Sequence, residues 1–354
     1  MIREEIAAAG PMDVATFIGR ALGDPQHGYY RTRDPLGAAG DFVTAPEISQ
    51  MFGELIGLWC ADVWTRLGAP TPLRLVELGP GRGSLMADAL RAVGRAAPAF
   101  RAALELHLVE TSPTLRAVQR VRLADAAPTW HDDPESVPGG PALILANEFF
   151  DALPIHQLER TAAGWCERQV TIDDAHRLAL TVAAVPSAHA GALAPAVAAA
   201  PLGSVAELSP TARAMVAGLA RRIADQGGAA LLIDYGHAIP APGDSLQAVR
   251  AHRRHAVLED PGEADLTAHV DFGALAAAAA PHATIHGPVT QATFLRRLGI
   301  VARAEALMRG KPPPARSASG RRSPGLIEPS QMGNLFKVMA LGAPGGPALP
   351  GLEP

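Results

Sequence analysis

Apolar and polar positions along the chain change period from block to block. Asp13 to Leu22 places Val14, Phe17, Ile18 and Leu22 on one helical face. Pro46 suits the first turn of a helix that starts at Thr44 or Ala45 and runs through Phe52, Leu55, Ile56 and Trp59. Leu73 to Val76 is a short run of strand type that ends in an acid, Glu77. Beyond it, Leu85, Met86, Ala89, Leu90 and Val93 recur at helical spacing, to about Ala97, with Pro98 in a linker. Leu104 to Val109 is a second strand, and a short third one lies near Trp130-His131-Asp132-Asp133. Ala142 to Ala146 is wholly apolar, as a strand buried in a parallel sheet must be. Trp165 to Ile172 suits a hairpin, whereas residues 183–203, rich in Ala, Pro and Gly, read as a loop. Ser209-Pro210 starts a helix through Met215, Leu219 and Ile223 that stops at Gly227-Gly228. Ala229 to Asp234, Ala283 to Ile285 and Leu335 to Leu341 are further strands. The last two are separated by helical Phe294 to Leu307 and a loop at 311–324.

The first strand, its glycine-rich turn and the helix behind it open a Rossmann-like nucleotide site. Its ligand turns on spacing. A dinucleotide fingerprint, G-x-G-x-x-G, needs a third glycine where this chain has Ser84. Glu77 at the strand end repels a pyrophosphate but accepts from an ammonium group. S-adenosylmethionine carries an α-amino group and no phosphate. The run Glu77, Gly79, Gly81, Gly83 therefore resembles motif I of class I S-adenosylmethionine-dependent methyltransferases.

Two further strand ends carry polar groups. Glu110 closes the second strand, where an acid accepts from ribose hydroxyls; a surface acid is the alternative. Asn147-Glu148-Phe149-Phe150-Asp151 follows the apolar fourth strand, at the edge where α/β sheets bind ligands. Asn and Asp also make turns, so both readings stand. The Gly40-Asp41-Phe42 turn is short, polar and not needed for packing, and reads as a cofactor lid or a plain turn.

Bulk properties narrow the class. The 354 residues suit one large or two ordinary domains, and 48% hydrophobic with 19% charged residues is globular. A net charge of −4 gives no reason to expect a nucleic-acid partner. Two cysteines, Cys60 and Cys166, make neither a disulfide framework nor a cysteine zinc site. His252, His255, Asp265, His269 and Asp271 lack an H-E-x-x-H pattern and a closed ligand set, so no metal is expected. No apolar run is long enough for membrane insertion. The acids in Met1-Ile2-Arg3-Glu4-Glu5 are unlike a targeting peptide. A cytoplasmic protein is expected; a processed form in the mitochondrial matrix would read the same.

Taken together, the motifs resemble one family. They are Gly28-Tyr29-Tyr30, Gly40 to Ser49, Glu77 to Gly83, Val109 to Pro113, Ala146 to Pro154, Asp234-Tyr235-Gly236, Gln247 to Arg250, Asp265 to Phe272, and Met332 to Val338. In this order they resemble the MidA-type methyltransferases, the former DUF185 group. Its mitochondrial members are arginine methyltransferases that help assemble respiratory complex I. The resemblance implies an α/β class I methyltransferase fold, Rossmann-like. Its seven-stranded, mostly parallel sheet would carry a helical N-terminal extension and an inserted substrate-side subdomain. The divisions expected are a helical region with the lid at 1–66, core at 67–160, insertion at 161–228 and core at 229–354.

The resemblance further implies S-adenosylmethionine as cofactor and a protein substrate, with a complex I subunit as candidate, and it admits a homodimer. Glu77, Gly79, Pro80, Gly81, Gly83, Glu110 and Asn147, with Asp41 and Phe42 from the lid, would hold the cofactor. An arginine acceptor calls for carboxylates, because a planar guanidinium pairs bidentately with them. Glu148 is the expected main clamp and Asp151 its support, with Asn147 shaping the pocket. Phe149 and Phe150 would exclude water, and His269 or His156 would take the proton. Two competitors remain at this point: a nucleotide-dependent oxidoreductase, and a non-catalytic assembly chaperone of the same fold.

Overall fold

The computed structural model describes residues 1–32, 44–309 and 325–353. The chain forms two compact units. A core unit comprises Val43–Phe150, Val216–Gly236 and Ala276–Pro354. An N-terminal unit comprises Met1–Phe42, Asp151–Met215 and His237–Leu275.

The core unit is built on a sheet whose main strands are β1 (Leu73–Leu78), β2 (Leu104–Val109), β3 (Thr129–His131), β4 (Ala142–Asn147), β5 (Gly228–His237), β6 (Thr284–Thr290) and β7 (Phe336–Gly342). They run in the order β3-β2-β1-β4-β5-β7-β6. β1 pairs in parallel with β2 and β4, so Leu75 faces Leu106 on one side and Leu143 on the other. β4 pairs in parallel with β5, and β7 lies antiparallel to both β5 and β6. The sheet is mostly parallel, as the family resemblance implies, with the last strand antiparallel. Buried positions run almost unbroken along β4 and β5, because both faces of a central parallel strand are covered.

Three helices bear on the site: α1 (Gln50–Arg66), α2 (Ser84–Ala96) and α3 (Pro113–Arg122). α1 and α2 meet closely. A Cβ on Gly57 would stand 2.8 Å from the Ala89 backbone. Phe52, Ile56, Trp59, Leu75, Met86 and Leu143 share the core they enclose. Two expectations need correction. The helix from Thr44 or Ala45 does not run on to Trp59: Ala45–Ile48 is one helix, Ser49 is extended, and α1 begins afresh. The Ser49 side chain caps α1 by accepting from Met51 N at 3.3 Å. Pro98 does not sit in a linker but opens the short helix Pro98–Ala103.

The N-terminal unit packs the helices Ile2–Ala9 and Val14–Gly23 through Ile6, Phe17 and Leu22 against Ile155, Val170 and Leu266. Asp13 caps the second helix, accepting from Thr16 N at 2.7 Å. Its larger sheet contains the hairpin His156–Thr161 with Gly164–Ile172, flanked by Val205–Leu208, Met12–Asp13 and Leu178–Pro186. A smaller sheet joins Gln247–Arg250, Arg253–His255 and Asp265–Thr267. Residues 183–203, expected as a loop, contain the end of strand Leu178–Pro186, a 3-10 turn and the helix Pro195–Ala198. The units also divide the chain differently from the four contiguous stretches expected. α1 belongs to the core unit, and His237–Leu275 belongs to the N-terminal unit.

Candidate functional site

β1 delivers Glu77 to the sheet's carboxyl edge, and the chain then turns on three left-handed glycines, Gly79, Gly81 and Gly83, with φ of 61°, 53° and 75°. Gly79 is required twice over, since a Cβ there would also stand 2.8 Å from the Phe149 ring. Gly83 N donates to Pro80 O at 2.7 Å, closing the turn at the start of α2. Ser84, in place of a third fingerprint glycine, bonds through its hydroxyl to Glu47 and to Arg122. Glu47 and Arg122 are themselves 3.6 Å apart, so the Ala45–Ile48 helix is tied to the turn.

Glu77 is buried and its Oε2 has no hydrogen-bond partner among the described residues. Burial, and secondarily the charge of Glu110, pushes its carboxyl up to about 8. Glu110 is likewise buried and raised by burial, but its neighbours oppose the shift. Ser112 N donates to its Oε1 at 2.8 Å and Gln119 Nε2 to its Oε2 at 3.2 Å. Gln119 also donates to Gly81 O at 2.6 Å and accepts from Trp130 Nε1 at 2.8 Å. One buried glutamine thus ties the glycine turn to the end of β2.

At the end of β4, Glu148 takes a left-handed backbone, φ 51°. Its Oε1 accepts from Ala45 N at 2.9 Å and from Asn147 Nδ2 at 3.1 Å. Asn147 Oδ1 is buried without a partner among the described residues. Phe149 and Phe150 stack edge to face, 5.5 Å between ring centres. Sequence reasoning gave no role to Asp234, Gln119 or Glu47. Asp234 was recognisable as a strand-end acid after β5's apolar run. Glu47 lies inside the motif over Gly40 to Ser49. Gln119 gave no signal, being one polar residue within a helix.

The remaining expected residues belong to the N-terminal unit or fall outside the described residues. Asp41 and Phe42 fall outside the described residues. Asp151 and His269 belong to the N-terminal unit. There Asp151 is buried, its carbonyl accepting from Ala268 N at 3.0 Å, and His269 N donates to Ser245 Oγ at 2.8 Å. His156 is held by Glu167 at 2.8 Å, and that hydrogen bond raises its pKa. Among the described residues no group of three or more His, Cys, Asp or Glu is placed to hold a metal ion. No helix among them is long and apolar enough to cross a membrane.

A parallel sheet with an acid at the ends of β1 and β2, a glycine turn between β1 and α2, and a polar β4 edge defines a class I methyltransferase core. Residues 55–289 match the family described as "Putative S-adenosyl-L-methionine-dependent methyltransferase". The chain belongs to this family, the MidA-type group. It is 39% identical to the protein arginine methyltransferase NDUFAF7, mitochondrial, of Danio rerio, over 96% of this chain and 85% of that one. The human protein of the same name is 37% identical over 95% of this chain and 81% of its own length. A crystal structure of a Burkholderia thailandensis protein bound to S-adenosyl-homocysteine superposes with a TM-score of 0.85 at 30% identity, covering 99% of this chain and 92% of that one.

The residues present fit S-adenosylmethionine. A buried carboxylate with an unpartnered oxygen, Glu77, suits a cationic ammonium. The orphaned Asn147 Oδ1 offers a second acceptor. Glu110, already oriented by two donors, keeps lone pairs for hydroxyl groups.

Proposed function

We propose that the chain methylates the guanidinium of an arginine side chain in a protein, with Glu148 as the group that clamps it. The observation that carries this reading is the fixed Glu148 carboxylate at the sheet's carboxyl edge, held on Oε1 by two donors. A carboxylate with a fixed plane presents itself to a planar guanidinium without first losing rotamer freedom. The names of the relatives support arginine as acceptor. Bound S-adenosylmethionine supplies an electrophilic methyl group on sulfur. The chain's residues bind, orient and keep out water. In this proposal Glu77, Gly79, Pro80, Gly81, Gly83, Glu110 and Asn147 hold the cofactor. Asp151, three residues after Glu148 in sequence, is the second carboxylate, and His269 is the proton acceptor. A respiratory complex I subunit is the proposed protein substrate, and a homodimer the proposed assembly, both supported by the family resemblance.

Radiolabelled methyl transfer to proteins of a cell lysate, followed by mass spectrometry of the labelled residue, tests this. Label on arginine is expected. The Glu148→Gln variant keeps an oxygen for Ala45 N and removes the charge, so turnover should fall by about 100-fold or more. Cofactor affinity should hold. Label on another residue type would refute the arginine acceptor, and near-normal turnover the clamp. Intact cofactor binding with no transfer at all would favour the assembly chaperone.

A further inference from the structure

Glu148 adopts a backbone conformation that a side chain disfavours, and such a conformation persists only where its surroundings hold it. Two sets of bonds do so here. Glu148 N donates to Ile233 O at 2.9 Å, which fixes the residue to the end of β5. The next two amides, Phe149 N and Phe150 N, converge on one oxygen of Asp234, at 3.1 and 2.9 Å. The other Asp234 oxygen accepts from Tyr235 N at 2.9 Å. Asp234 is buried, so these charge-assisted bonds are unscreened by water. The turn they fix has Glu148 on one side, bonded to Ala45 N, and Phe149 on the other, where it lies against Gly79.

We infer that Asp234 is a positioning residue for methyl transfer: its carboxylate locks the β4 turn and through it sets the Glu148 carboxylate. This rests on the role proposed for Glu148. Asp234 need touch neither cofactor nor substrate.

The consequence is non-additivity. Asp234→Asn keeps the size of the side chain and one oxygen for Phe149 N and Phe150 N. It loses the charge and turns an amide donor toward Tyr235 N–H. The turn loosens without losing its core packing, and kcat should fall about 10-fold. The KM for S-adenosylmethionine should stay within about threefold, because Glu77 lies in β1 and Glu110 directly follows β2, away from the β4 turn. In a Glu148→Gln background the same change should cost almost nothing further, since the group being positioned is gone. A residue that merely stabilises the fold lowers activity by the same factor in both backgrounds.

The experiment is this double-mutant cycle on the full chain, with labelled S-adenosylmethionine and lysate protein as acceptor. S-adenosylhomocysteine binding by calorimetry serves as the control for folding. Asp234→Ser, which keeps a single acceptor, is the second variant should the first fold poorly, and the same non-additivity is expected of it. Additive losses, or an Asp234→Asn enzyme with wild-type kcat, would overturn the inference. An inactive Glu148→Gln with a harmless Asp234→Asn refutes only the positioning role. A fully active Glu148→Gln refutes the clamp itself.

Discussion

Glu77 and Glu110 lie at the ends of neighbouring strands, yet their carboxylates are poised differently. Glu77 is pushed up to about 8 from its ordinary 4.5, chiefly by burial. Such a group binds a proton in the folded state that it has lost in the unfolded state. The ligand-free protein therefore loses stability as pH rises from about 4.5 to about 8, and the penalty is then complete. A cationic ammonium beside Glu77 reverses this by favouring the anion. At pH 6.5, binding of S-adenosylmethionine should release up to about one proton, read by calorimetry in buffers of different ionisation enthalpy. Glu77→Gln should abolish that release and weaken binding; release at the wild-type level would assign the proton elsewhere. Glu110→Ala should weaken the cofactor by at least about 10-fold, a charge-assisted bond being worth ~1.5–3 kcal/mol. It also strips Ser112 N and Gln119 Nε2 of their acceptor. An unchanged dissociation constant would make Glu110 a structural acid. Both acids were legible because each ends an apolar strand run. Gln119, which joins them to the turn, was not, because its role depends on where α3 crosses the sheet edge.

Among the elements, the buried strands were the most legible. Ala142–Ala146 in β4 and Ala229–Ile233 in β5 are continuous apolar runs of strand length. The break at Ser49 was hidden because no glycine or proline marks it, and the apolar positions continue on both sides. The strand over 178–186 was hidden for the opposite reason. Its alanines suggest no strand, and it is held by a backbone ladder to Gly164–Ile172 that sequence cannot show. The α1–α2 contact is another feature of close approach. Gly57→Ala would bring a methyl group to 2.8 Å from the Ala89 backbone, which must then shift. The expected loss is about 1–3 kcal/mol, the usual range for overpacking, measured by urea unfolding. A wild-type midpoint would mean that the helices slide apart freely. At Gly94, an exposed position inside α2 where among the described residues nothing lies within 4 Å of an added Cβ, the same change should instead stabilise by about 0.5–1 kcal/mol.

At the scale of the whole molecule, each unit is drawn from three separate stretches of chain. Sequence periodicity reports local neighbours, so it divides a chain into contiguous pieces. Interleaved units are fixed by contacts distant in sequence, such as β5 between β4 and β7. The cofactor residues nevertheless fall within one unit. Glu77, the glycine turn, Glu110 and Asn147 all belong to the core unit, although the motifs that carry the family resemblance are spread over both. This yields a test of where the cofactor binds. S-adenosylhomocysteine at 100 times its dissociation constant should add about 2.7 kcal/mol to the stability of the unit that binds it. Amide hydrogen exchange should slow most at residues 77–84, 110–119 and 147–150. Those segments line the turn, the Gln119 bridge and the Asp234 lock. The hairpin over 156–172, in the other unit, should gain less. Protection concentrated in that hairpin, with the glycine turn unchanged, would remove the cofactor from the β1 edge and with it the roles assigned to Glu77 and Glu110.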